Sequence, residues 1–143
     1  MESPLYASGI AIAALREKEY DLLDLVSEEE VFLSTWTLLH GTSRFLYFYG
    51  LTADDLEIET PNIPGKEVLV EDTIAEAVSS IQNGSVEFFP SGISTDSKTV
   101  SIAILSVIDA IVETLSEIKQ TTRDEMMDSL ASSLMRVRAS KGF

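Results

Sequence analysis

Between Val100 and Ile118 the apolar residues recur at steps of three and four. Placed at about 100° per residue around an axis, Val100, Ile104, Leu105, Val107, Ile108, Ile111, Val112, Leu115 and Ile118 share an arc of about 160°. Ser106, Asp109, Glu113, Ser116 and Glu117 fall outside it. The pattern predicts a long helix from near Thr95 to about Lys119. An arc this wide exceeds what one neighbouring helix covers, and Ile104, Ile108, Ile111, Leu115 and Ile118 also fit an a and d seam. The helix is therefore either the centre of the fold or a seam shared with a second subunit. A membrane span needs about 20 apolar residues, whereas only ten uncharged positions separate Lys98 from Asp109, so no crossing is expected.

The same spacing occurs elsewhere. Ser3 and Pro4 suit a helix start, and Leu5, Ala11, Ile12, Leu15, Leu22, Leu23 and Val26 extend one apolar face over about residues 4 to 25. "SEEE" at 27 to 30 supplies a Ser27 cap, with Glu30 at the reciprocal position and three carboxylates at the positive end of the dipole. The second helix thus begins at Glu28 and buries Val31, Phe32, Trp36, Leu38 and Leu39, with a break or kink expected at Gly41 in "HGTS". Thr122 and Glu125 form another capping box before a last helix that buries Met126, Met127, Leu130, Leu134 and Val137.

Residues 51 to 70 change character. "LEIET" and "KEVLV" alternate or are β-branched around the turn-forming "PNIPGK", which predicts a small β hairpin within residues 55 to 90. "SVEFF" after "NG" offers a third strand. A short helix capped near Asp72 or Thr73 lies between them and carries Ile74, Val78 and Ile81 on one side. The expected fold is mainly α: one domain over residues 1 to 143, a bundle of about five helices with this minor hairpin.

Composition narrows the function more than it identifies it. With 24 Asp and Glu against 10 Lys and Arg, the formal charge is -14, which repels phosphate backbones and anionic membranes. Nucleic-acid and membrane partners are not expected, and a basic protein is the complementary one. The absence of cysteine excludes disulfides, thiolate nucleophiles and zinc ribbons. "ASGIAIAAL" follows Glu2 rather than a positive region and precedes "REKEYD" rather than a cleavage site, so a cytoplasmic protein is expected.

No chemical motif is complete. His40 is the sole histidine, so no imidazole-based zinc site forms, and the neighbouring Thr42 and Ser43 lack the strained elbow of a hydrolase nucleophile. From Asp55, "DDLEIET" puts Thr60 where a calcium loop needs glycine and Lys66 where it needs glutamate. "PGKE" lacks the spacing of a phosphate loop. Asp109 sits at the edge of the polar arc, where a solvated carboxylate is expected. Arg123, Arg136, Arg138 and Lys141 gather on the last helix, where its dipole accounts for them.

The first functional expectation is a non-catalytic protein-protein interaction module without cofactor or metal. It would be homo-oligomeric, most simply a dimer, through Ile104, Ile108, Ile111, Leu115, Ile118, Met127, Leu130 and Leu134. An acidic inhibitor, immunity or chaperone-like protein for a basic partner is the second. The third is a small-molecule pocket or enzyme around Trp36, His40, Tyr47 and Tyr49.

Overall fold

The computed structural model describes residues 4–83 and 96–140, with side chains described at 7, 9–82 and 96–132. Five α-helices form a bundle: α1 (Pro4–Glu17), α2 (Glu28–Phe48), α3 (Glu67–Asn83), α4 (Ser97–Lys119) and α5 (Arg123–Ser140). Two 3-10 helices, Tyr20–Leu25 and Ala53–Asp55, lie in the connections.

α4 is the axis of the bundle. It packs against α2, α3, α5 and the 3-10 helix Tyr20–Leu25, and Ile104, Leu105, Ile108, Ile111 and Leu115 are at most 1% exposed. Fully burying one such aliphatic side chain contributes about 1.5–3 kcal/mol. Burial extends beyond the apolar arc. Ser101, Ser106 and Ser116 are also buried, and the last two donate their hydroxyls to the carbonyls of Ile102 and Val112 four residues back. Serine thus closes the polar side of α4 without leaving an unsatisfied hydroxyl. By length and composition α4 does suffice to cross a membrane, contrary to the length argument, because Asp109 and Glu113 do not lower its apolar window enough; 83% of that window is buried within the chain.

α2, α3 and α4 run in the same direction. The Thr35 hydroxyl lies 3.5 Å from that of Ser101, and Lys119 Nζ stands 5.8 Å from the Tyr49 ring centre at the other end. Lys66, just before α3, pairs with Asp96, just before α4, at 2.8 Å, while Ser80 late in α3 meets His40 in α2. Parallel neighbours require returning connections, and residues 51–66 supply one. Leu56, Ile58 and Ile63 pack inward on the core, whereas Asp54, Asp55, Glu57 and Glu59 face solvent.

Those alternating positions explain why a hairpin is expected from sequence and does not form. Among the described residues there is no strand: the period of two belongs to an extended segment lying on helices, with no strand beside it. "KEVLV" mostly belongs to α3, which starts at Glu67 rather than near Asp72, and "SVEFF" lies outside the described residues. Other boundaries shift for local reasons. α1 stops at Glu17 instead of continuing to 25 because Lys18 turns left-handed, φ 55°, and the amides of Lys18 and Glu19 bond the carbonyls of Leu15 and Ala14. α2 runs unbroken through Gly41, because the Thr42 and Ser43 hydroxyls donate to the carbonyls of Leu38, Leu39 and His40 inside the helix rather than starting a new one. The Ser27 and Thr122 caps form as expected, accepting from the amides of Glu30 and Glu125. Asp96 caps α4, accepting from the Thr99 amide at 3.0 Å.

Candidate functional site

The residues proposed as a seam are divided by the fold. Ile104, Ile108, Ile111 and Leu115 are enclosed by the chain's own helices, and Met127 and Leu130 are 3% and 4% exposed. They are not presented to a second copy, because α2, α3 and α5 already occupy the faces of α4. Ile118 is the exception at 45% exposed. Leu134 lies outside the residues whose side chains are described.

The pocket candidates also separate. The Trp36 ring stands edge-on to His40 with ring centres 4.9 Å apart, and the Ser80 hydroxyl hydrogen-bonds His40 Nε2 at 3.2 Å. Burial, and secondarily the Arg44 guanidinium, lower the His40 pKa, so the ring is neutral at pH 7. A serine and a neutral imidazole at this distance have the contact of a nucleophile and base. Ser80 is 8% exposed, however, and lies inside helix α3, where neighbouring amides are engaged in the helix and unable to stabilise an oxyanion. The pair instead joins α2 to α3. Tyr47 and Tyr49 lie about two turns further along α2, away from His40. Tyr47 is 47% exposed, and Tyr49 packs between Phe48 and Lys119.

A second polar constellation was not legible in the sequence. Asp109, expected at a solvated edge, is partly buried, and its Oδ1 accepts from Arg123 Nη2 at 2.6 Å and Nε at 3.2 Å. The same guanidinium donates to the carbonyls of Leu15 and Arg16 at 2.9 and 3.2 Å and pairs with Glu113 at 3.0 Å. Lys18 approaches Asp109 at 3.7 Å. Arg123 opens α5 rather than closing it, so its own dipole does not explain it. It covers the carbonyl end of α1, where orphan acceptors and negative potential favour a cation. All three of its nitrogens contact protein groups, and the network therefore reads as a clasp between α1, α4 and α5. The remaining ion pairs are similar ties: Lys98 holds Asp21 and Asp24 at 3.2 and 3.1 Å, fixing the 3-10 helix Tyr20–Leu25 on the start of α4. Among the described residues no group of three His, Asp or Glu is placed to hold a metal ion.

Among the described residues large apolar side chains are exposed at both ends of the bundle: Leu25 and Val68 lie just before α2 and at the start of α3, and three more lie where α2 and α4 finish. Phe48 is 81% exposed, and Tyr47 and Ile118 are nearly half-exposed. The Phe48 ring contacts Tyr49 at a centre separation of 5.2 Å, which ties it to Lys119 and the end of α4. In comparisons with known proteins the chain matches no family model, no curated protein and no solved structure. The chain's own surface is then the basis for a functional reading.

That surface is electrically uneven. Residues 45–97 hold ten Asp and Glu and a single cation, Lys66, and Lys66 is paired with Asp96. Asp54, Asp55, Glu57, Glu59, Glu67, Glu71 and Asp72 are all exposed. Sequence reasoning treated the charge as a property of the whole chain and missed its segregation, which is visible on counting signs between Arg44 and Lys98.

Proposed function

We propose that the chain is a non-catalytic protein-protein interaction module whose partner is basic. The observation that supports this most is the carboxylate surface of residues 51–72, where the one cation is already engaged within the chain. Electrostatic complementarity of this kind speeds encounter with a cationic partner and selects against anionic ones. It also opposes self-association at physiological salt, which makes a homodimer through Phe48 and Ile118 the second reading rather than the first.

The test is a neutralised variant, Glu57→Gln/Glu59→Gln/Glu71→Gln/Asp72→Asn, compared with the wild type for proteins that co-purify from the native host at low and high salt. These side chains are exposed, so the fold is retained. A basic partner held by the wild type at low salt and lost from the variant supports the reading. A partner held equally by both, or one unaffected by salt, refutes it. Light scattering on the same samples reports the second reading, since a concentration-dependent dimer abolished by Phe48→Ser would replace the first.

A further inference from the structure

The starts of α2, α3 and α4 lie at one end of the bundle, where Leu25 is 56% and Val68 70% exposed. The two flank the start of α4. Leu25 follows Asp24, whose carboxylate holds Lys98 in the first turn of α4, and Val68 stands two residues after Lys66, which pairs with Asp96 at the α4 cap. Val68 also belongs to an open helix face. α3 packs mainly on α4 and buries Val70, Thr73, Ala77 and Ile81, whereas Val68, Asp72 and Ala75, at steps of four and three, are exposed on its outer side with Glu71 beside them.

Charge separates this end from the other. Asp21, Asp24, Glu28 and Glu29 stand on the Leu25 side, and Glu67, Glu71 and Asp72 on the Val68 side, all of them exposed. Lys66 and Lys98, the cations among them, are already paired with Asp96 and with Asp21 and Asp24. Three helix starts add about half a positive charge each. Even with Arg136 and Arg138, late in α5, counted here in full, the end stays negative. Where α2 and α4 finish, by contrast, Arg44 and Lys119 offset Asp54 and Glu117, so the charge around Phe48 selects nothing. Apolar side chains set among carboxylates are covered by a segment that brings an aliphatic or aromatic residue together with Lys or Arg. A second copy would set like charge against like, and an anionic lipid surface would be repelled in the same way.

We infer that the end of the bundle where α2, α3 and α4 start docks a cationic segment of a partner protein, whose apolar residues seat on Leu25 and Val68. This rests on the basic-partner reading above and adds the place and the contact chemistry. The probe is a short fluorescent amphipathic peptide of lysine and leucine, with a glutamate and leucine peptide as its counterpart, read by anisotropy. Saturable binding of the lysine peptide alone is expected. Leu25→Ser/Val68→Ser should weaken it about tenfold or more, and Glu28→Gln/Glu29→Gln about threefold or more with a shallower salt dependence. The 23 residues of α4 span about 34 Å, several times the screening length of about 8 Å at physiological salt. Phe48→Ser and Asp54→Asn/Glu117→Gln, at the far end, should therefore change affinity by less than about twofold. These side chains are all exposed, and a urea midpoint confirms that each variant folds. No effect of Leu25→Ser/Val68→Ser, an equal effect of Phe48→Ser, equal weakening by the two charge pairs, or absence of saturable binding overturns the inference. None of these variants shares a position with the four-site variant at Glu57, Glu59, Glu71 and Asp72. A co-purifying basic partner lost from that variant but held by Leu25→Ser/Val68→Ser would leave the basic-partner reading standing and sink this one.

Discussion

Replacing Arg123 by alanine removes the group that ties the carbonyl end of α1 to Asp109 on α4. The Arg16 carbonyl and the Asp109 carboxylate lose the guanidinium donor, and the Leu15 carbonyl keeps only the Lys18 amide at 3.4 Å. Asp109 keeps only Lys18, which is 3.7 Å away and about half-exposed. A hydrogen bond to a charged group contributes about 1.5–3 kcal/mol, and removing one partner of a fully buried pair costs about 3–5 kcal/mol. Arg123 and Asp109 retain 21% and 14% exposure, so water recovers part of that loss. The expected cost is about 2–4 kcal/mol, or a Tm lower by roughly 10 °C at the few degrees per kcal/mol typical of this chain length. Arg123→Lys should recover less than half, because one ammonium cannot bridge a carboxylate and two carbonyls. Urea unfolding followed by circular dichroism, with an unchanged slope, measures both. A coupling of about 1 kcal/mol or more between Arg123→Ala and Asp109→Ala is expected from the double-mutant cycle. A loss below about 0.5 kcal/mol for Arg123→Ala would reduce the clasp to an ordinary surface pair and refute the reasoning.

Three further outcomes follow from the same geometry. Because burial and Arg44 lower the His40 pKa, the unfolded chain takes up a proton near pH 6.5 that the folded chain resists; stability is full above that pH and declines as pH falls through it. His40→Gln should therefore show a smaller stability loss than wild type between about pH 7.5 and 5.5, and parallel pH curves would argue against it. Gln120 ends α4 at φ 55°, ψ 43°, a conformation costing a non-glycine residue about 1–2 kcal/mol; Gln120→Gly should stabilise by about 0.5–1 kcal/mol after glycine's own entropy loss, and a destabilised variant in urea would contradict this. Ile108→Ala, at 1% exposed, should cost about 2–5 kcal/mol independently of protein concentration, against well under 1 kcal/mol for Ile118→Ala; a cost that grows on dilution would mean that a second chain covers α4.

The sequence carries α4 and the α2 start clearly because each signal is local: a 3.6-residue period, or a hydroxyl three residues before an amide. It carries the 51–66 segment ambiguously. Alternation records which side chains face inward, and an extended chain on helices alternates as a strand does. Gly41 misleads for a related reason, since Thr42 and Ser43 cap helices in many contexts but here bond backward within one. The Arg123 clasp is hidden altogether. Its acceptors in α1 lie 107 and 108 positions away, and the pattern of α5 describes only the face that α5 itself buries. The exposed surface is half-visible: Phe48 and the acidic run can be read directly, whereas which apolar side chains stay uncovered depends on how the helices pack.

Parallel packing also governs the order in which the molecule can be built. Adjacent antiparallel helices can pair as soon as a short turn has formed, but α2 and α3 share their main partner, α4, which is synthesised after both. At about 5–20 residues per second, the earlier helices wait for seconds with their apolar faces unmatched, and folding then proceeds around the late arrival. A fragment ending before Ser97 should accordingly stay largely unfolded. During that interval the excess of carboxylates gives the nascent chain something its core cannot yet provide, mutual repulsion between copies that keeps them apart until the centre is in place.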